Sequence, residues 1–121
     1  MEGRIPIQIE IHSRPEGASA YVVSETLWRP AGEEYFAKSQ QSGQLDPWFD
    51  AYRVKSGRTP VKTSTSMGIL HLIVAKDGHF EHSEVVPSRM EPDPDTGHYR
   101  FTVEIPELAR DEVAADTGPE E

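Results

Sequence analysis

Apolar and polar residues alternate in the first part of the chain. Isoleucines stand at positions 5, 7, 9 and 11, with Pro6, Gln8 and Glu10 between them. Because successive side chains of a strand point to opposite faces, the four isoleucines share one face, and the pattern predicts a half-buried strand. Pro15 and Gly17 predict a turn after this strand, and residues 20–23 predict the strand that returns from it.

The second half of the chain carries three more strand patterns. Residues 69–74 are apolar except for His71, which predicts a strand buried on both faces and therefore covered on both. Asp77 and Gly78 predict a two-residue type I′ hairpin turn that joins this strand to another at residues 80–86. Residues 99–105 alternate again and predict the last strand, after a polar, proline-containing loop at residues 87–97. The polar residues 63–66 fit either a loop or an exposed strand.

These elements predict an all-β fold, a small antiparallel β-sandwich, in a single domain over residues 1–106. The chain has 121 residues and a formal net charge of −9. Residues 107–121 hold six acids and one arginine but no apolar periodicity, so they predict an acidic tail that is disordered or bound to a partner. The remaining charge of −4 (−9 minus −5) repels phosphate backbones, which weighs against nucleic acid as a partner.

Turn residues at fixed points along these strands resemble a known family. The sequence SRPEGA occupies residues 13–18, GRTPV occupies residues 57–61, Gly68 precedes the apolar strand, and KDGHF occupies residues 76–80. In this order they are similar to the PEGA family of small β-modules. The resemblance implies a transthyretin-like sandwich of the kind found in prokaryotic envelope and surface proteins. It implies a binding or assembly module and not an enzyme, so it supplies no catalytic residue and no cofactor.

An insertion at about residues 25–56 separates the two halves of this signature, where the family has a short turn. Asp46 and Pro47 predict an N-cap and first position of a short helix through Tyr52, and residues 33–41 predict another helical turn. The insertion holds six of the ten aromatic residues, namely Trp28, Tyr35, Phe36, Trp48, Phe49 and Tyr52. These six form a partner-binding surface, since Trp and Tyr dominate interface hot spots, or they fold back and cover the strand at residues 69–74.

The histidines and acidic residues give little indication of a metal site. His79 and His82 flank Glu81, but residues three apart on a strand point to opposite faces, which favours solvent-facing polar residues over metal ligands. His71 lies in the most apolar strand, where a hydrogen-bonded core histidine is the favoured interpretation.

The acidic residues 91, 93 and 95 favour a solvated turn over a calcium loop, because prolines interrupt the ligand spacing. The chain has no cysteine and no nucleophile, phosphate-loop or dinucleotide motif, so we expect neither catalysis nor a cofactor.

The function that these patterns favour is a non-catalytic structural or protein-binding module, an accessory subunit of a larger assembly such as an envelope-associated one. The alternative is a carbohydrate- or ligand-binding module that uses the aromatic insertion. The sequence predicts no transmembrane segment, and its first residues lack the basic head and apolar run of a signal peptide. We therefore expect a cytoplasmic location if Met1 is the native start, and the cell envelope or periplasm if a leader was removed.

Overall fold

The computed structural model describes residues 6–108, so Ile5 and residues 109–121 of the predicted tail lie outside the described residues. Six strands form two three-stranded sheets, with the orders β3–β1–β6 and β2–β4–β5. The strands are β1 (Pro6–Arg14), β2 (Ser19–Ser24), β3 (Val61–Ser66), β4 (Leu70–Lys76), β5 (His79–Val85) and β6 (Tyr99–Glu104). The prediction of a small β-rich fold is confirmed, and the polar residues 63–66 belong to a strand.

Three strand pairs are antiparallel (β1 with β3, β2 with β4, and β4 with β5), as predicted. The pair formed by β1 and β6 is parallel, which differs from the antiparallel expectation. The reason is that the segment between β5 and β6 carries the chain from the second sheet to the first, so that β6 starts beside the beginning of β1.

The insertion is mostly helical. Its elements are α1 (Glu25–Leu27), a π-helical turn (Trp28–Gly32), α2 (Glu33–Ser42) and a 3-10 helix (Pro47–Tyr52). The Asp46 side chain accepts a hydrogen bond from the Trp48 backbone N–H at 2.9 Å, and Pro47 occupies the first helical position. The predicted short helix is therefore confirmed, in the 3-10 form. A further 3-10 turn, Pro87–Arg89, follows β5. Within residues 6–108 no helix combines the length and apolarity needed to cross a membrane.

The main core lies between the two sheets. Alternate residues of β1 and β6 in one sheet meet alternate residues of β2 and β4 in the other, and each fully buried Ile, Leu or Val contributes roughly 1.5–3 kcal/mol of transfer free energy. This inner cluster contains Ile7, Ile9, Ile11, Ala18, Ala20, Val54, Val61, Leu70, Leu72, Val74, Phe101, Val103 and Ile105. Residues of both sheets therefore contribute to one buried cluster.

The two halves of the sequence signature meet at the buried side chain of Thr59. Its Oγ1 accepts hydrogen bonds from the backbone N–H groups of Gly17 at 3.1 Å and Ala18 at 2.9 Å, and lies 2.5 Å from Ser13 Oγ. Backbone bonds add to this contact, since the Gly17 N–H donates to the Thr59 carbonyl and the Thr59 N–H donates to the Ala18 carbonyl. Residues that are more than 40 positions apart are thereby joined around one hydroxyl.

The insertion covers the outer face of the second sheet. An outer cluster forms where its aromatic rings meet the residues of β2 and β4 that point away from the inner cluster. Its buried members are Tyr21, Val23, Trp28, Phe49 and Ile73. The predicted cover for the apolar strand β4 is therefore this chain's own insertion.

Candidate functional site

Strand β5 is an edge strand beside the insertion. It pairs only with β4 among the described residues, and the pairing starts at the turn formed by Asp77 and Gly78. These two residues have φ angles of 52° and 81°, as a type I′ turn requires. The predicted hairpin is confirmed, and its turn length fixes which residues of β5 face which way.

The free backbone groups of β5 belong to every second residue. In a two-residue turn the flanking residues, here Lys76 and His79, exchange hydrogen bonds, and bonded and non-bonded pairs then alternate along the ladder. Phe80, His82 and Glu84 are consequently in the non-bonded pairs, so their N–H and C=O groups point away from β4. No backbone hydrogen bond from another described segment reaches these three residues.

The side chains of the same three residues face a groove between β5 and α2. Two adjoining cavities of about 480 and 400 Å³ share Phe36, Gln40 and His82 as lining, and together they form what we call the edge groove. A small, more apolar cavity of about 170 Å³ beside Phe80 extends it at the hairpin end. Free backbone groups and groove-lining side chains thus come from the same residues of one strand.

Two histidines form part of the groove wall and stack under Trp28. The centroid distances from the Trp28 ring are 4.3 Å to His71 and 4.4 Å to His82, with interplanar angles of 7° and 10°. The two imidazoles are nearly parallel, because their own interplanar angle is 11°. His71 is buried, as predicted for a hydrogen-bonded core histidine.

Hydrogen bonds link the imidazoles to a carboxylate. His71 Nε2 lies 2.5 Å from Glu25 Oε1, and His71 Nδ1 lies 2.8 Å from His82 Nε2. The hydrogen bond to His71, followed by that to Arg29, lowers the pKa of Glu25, so its carboxylate is ionised and accepts. With both rings neutral, His71 donates from Nε2 and accepts at Nδ1 from the Nε2–H of His82.

With both rings neutral, the remaining ring nitrogen of His82 is a hydrogen-bond acceptor, and the ring lines the groove. Nδ1 has no partner among residues 6–108, and no buried polar side-chain atom of this region lacks one, so Nδ1 is open to solvent. Burial, followed by the neighbouring His71, lowers the pKa of His82, which favours the neutral ring. The neutral ring can accept a hydrogen bond from a ligand at this point.

Carboxylates dominate the charge of the edge groove. Its two larger cavities are lined by Glu33, Glu81, Glu84 and Glu107, against a single arginine. That arginine, Arg29, is bound through Nε to Glu25 at 2.5 Å. Burial, and then the nearby Glu107, raises the pKa of Glu81. The groove therefore presents negative charge and hydrogen-bond acceptors to whatever enters it.

The six aromatic residues singled out in the sequence occupy two kinds of position. Trp28 and Phe49 are buried in the outer cluster, at 5% and 0% exposure. The other four (Tyr35, Phe36, Trp48 and Tyr52) are half-buried and pack against that cluster. Of the six, Phe36 and Trp28 line the edge groove. Partner binding by these residues stays a prediction, and only the four half-buried rings have exposed surface with which to contact a partner directly.

The other sequence candidates lie apart from one another. His79 binds Glu107 at 2.8 Å whereas His82 binds His71, so the predicted divergence of the two rings is confirmed. Asp93 accepts hydrogen bonds from the backbone N–H groups of Asp95 and Thr96, in a turn that its own chain satisfies. Among residues 6–108 no three side chains of the metal-binding types are placed to hold an ion.

Sequence reasoning missed the groove and its polar groups. The hairpin register could have placed His82 on the same face of the sheet as His71, because a two-residue turn fixes which residues pair. The contact between Glu25 and His71 spans 46 positions and depends on how the insertion folds back, which no local pattern encodes.

Comparison with known proteins adds no family. Scans against protein-family models, curated proteins and solved structures find no match to this chain. The resemblance to the PEGA family therefore rests on the motif residues, and the site is interpreted from its own geometry.

Proposed function

We propose that this chain is a non-catalytic protein-binding module, a PEGA-like β-sandwich of the transthyretin-like kind, that binds an extended segment of a partner along β5. The observation that carries the proposal is the coincidence of free backbone groups and groove-facing side chains at Phe80, His82 and Glu84. Addition of a strand to an open sheet edge is a common mode of peptide recognition, in which backbone bonds supply affinity and side-chain pockets supply specificity.

The flanking helix supports this mode of binding. A strand added to β5 directs every second side chain to the same face as Phe80, His82 and Glu84, which is the face bounded by α2. Those side chains enter the edge groove, while each backbone hydrogen bond contributes about 0.5–1.5 kcal/mol net. Such a site fits an accessory subunit that attaches to a larger assembly, for which the family resemblance suggests an envelope-associated one.

The aromatic rings favour a protein partner over the carbohydrate alternative. Sugar binding requires an open aromatic face, but Trp28 stacks on two imidazoles. Trp48 stacks on Tyr35 at 5.0 Å and contacts Tyr52 at 4.9 Å. Both indoles thus direct ring surface to other side chains of this chain.

A peptide selection tests the proposal. A random octapeptide library displayed on phage is selected against the chain, and enriched peptides are synthesised and titrated by fluorescence anisotropy. Glu84→Pro removes an N–H that points away from β4, which an edge strand tolerates, whereas the control Glu84→Ala keeps it. We expect Glu84→Pro to bind at least about fivefold more weakly than Glu84→Ala, because one backbone bond is lost and the proline ring meets the added strand.

Hydrogen exchange gives a second measurement. In the free protein the amides of Phe80, His82 and Glu84 should exchange faster than those of Glu81 and Ser83, which bond to β4. Peptide binding should slow the three fast amides. Equal affinities of the two Glu84 variants, no slowing of these amides, or failure of the selection to enrich any peptide would contradict strand addition at β5.

A further inference from the structure

The edge groove has a chemical preference as well as a shape. Resting on the proposed function, we propose that the segment bound along β5 carries a lysine or arginine at the residue opposite His82 or Glu84, whose cationic head binds between Glu33 and Glu84 beside the open nitrogen of His82. The preference follows from the lining of the cavity of about 400 Å³ that contains Glu33, Glu84 and Trp28.

Two carboxylates on this wall of the groove have no ion-pair partner among the described residues. Glu33 and Glu84 line the same cavity, and neither makes an ion pair with another residue in the range 6–108. His82 offers Nδ1 as an acceptor when its ring is neutral, because Nε2–H is donated to His71. A bound group that donates hydrogen bonds and carries positive charge satisfies all three at once, and hydrogen bonds to charged groups are the stronger kind.

Arginine 29 does not already neutralise this charge. Its guanidinium lies near Glu33 and Glu84, but its Nε is bonded to the carboxylate of Glu25. Counting Glu25, Glu33 and Glu84 against Arg29 leaves two negative charges at this end of the groove. The same arginine disfavours a second cation close to Glu25, which directs the ligand toward the side of Glu33 and Glu84.

The geometry of strand addition brings a side chain to this place. Residues directly opposite each other in a sheet have Cβ atoms roughly 4.5–5.5 Å apart, so a lysine opposite Glu84 forms a cross-strand ion pair. A lysine opposite His82 reaches the Glu84 carboxylate along the diagonal of the strand pair. The same side chain can also extend across the groove to α2. Its alkyl stem meets Phe36 and the ring edge of Trp28, which suits a long side chain with an apolar stem and a charged head.

The test uses the peptides selected for β5 binding, re-synthesised with glutamine or norleucine in place of each basic residue. Loss of the cation should weaken binding about tenfold, and norleucine should not restore it, since the stem alone lacks the charge. Glu33→Gln combined with Glu84→Gln should abolish the difference between the lysine and glutamine peptides. Glu34→Gln is the matched control, because Glu34 is exposed, adjacent in sequence and absent from the groove lining.

The outcomes separate this inference from the proposed function. The cation site is refuted if the selected peptides carry no basic residue at a fixed position. It is also refuted if the Glu33/Glu84 double variant and the wild type prefer the lysine peptide equally. In that case sensitivity to Glu84→Pro still supports strand addition. If no peptide is sensitive to Glu84→Pro, both proposals fall together.

Discussion

The hydroxyl of Thr59 should be one of the most stabilising single polar groups of the fold. Thr59→Val keeps the shape of the side chain and removes only the atom that binds Gly17, Ala18 and Ser13. The Gly17 N–H keeps its bond to the Thr59 carbonyl and the Ser13 hydroxyl keeps its bond to the Pro15 carbonyl, whereas the Ala18 N–H loses its partner.

The size of the effect follows from that count. A buried backbone N–H without a partner costs about 1–3 kcal/mol, and one further weakened bond adds about 1 kcal/mol, so we expect a loss of about 2–4 kcal/mol in the free energy of unfolding. Urea unfolding followed by tryptophan fluorescence should show the midpoint falling by about 1–2 M with an unchanged slope. Thr59→Ser retains the hydroxyl and should lose only about 1 kcal/mol for its methyl group.

A double-mutant cycle makes the reasoning refutable. Ser13→Ala and Thr59→Val remove two ends of one hydrogen bond, so their combined cost should be smaller than the sum by about 1 kcal/mol. A Thr59→Val protein within 0.5 kcal/mol of the wild type, or additive single costs, would show that the hydroxyl does not join the two signature halves energetically.

Two further predictions concern the close packing of Gly32 on Trp28 and the lowered pKa of Glu10. A Cβ at Gly32 would lie 2.9 Å from a ring carbon of Trp28, so Gly32→Ala should destabilise the protein by about 1–3 kcal/mol in urea unfolding, whereas Gly68→Ala, with open space around it, should not. The hydrogen bond to His98 is the main cause that lowers the pKa of Glu10 to about 2. The contribution of the Glu10 carboxylate to stability is therefore complete above pH 4.5 and is lost as the pH falls toward 2. The difference in unfolding free energy between wild type and Glu10→Gln should close over that range. A difference that stays constant from pH 6 to pH 2 would contradict the lowered pKa of Glu10.

The strands that could be predicted from the sequence are those with one apolar and one polar face, or those joined by a turn that only a few residue types can form. The isoleucines of β1 alternate because one face meets the inner cluster, and Asp77 with Gly78 marks a turn that few other residues can form. Strand β3 was ambiguous because it lies at an edge, where Val61 is its one fully buried residue and the rest needs no apolar pattern.

What could not be predicted is contact between distant segments. The parallel pairing of β1 with β6 depends on which sheet the last strand joins, and nothing within either strand encodes that choice. The insertion was predicted to contain helices and, as one alternative, to cover residues 69–74, but which of its rings are buried depends on packing against β2 and β4. The edge groove forms only where the folded insertion lies beside β5, and so the candidate site was beyond local patterns.

The turn between β4 and β5 has a consequence for how this protein can vary. Its two residues set the parity of β5, and parity decides both which side chains face α2 and which amides remain free. Replacing Asp77 with asparagine keeps that parity, because asparagine also accepts a positive φ. A shift of one residue in the pairing of β5 with β4 reverses it, which would turn Phe80, His82 and Glu84 toward the inner cluster and away from α2. Related chains that keep this binding mode should therefore vary in the composition of the turn while its length stays constant.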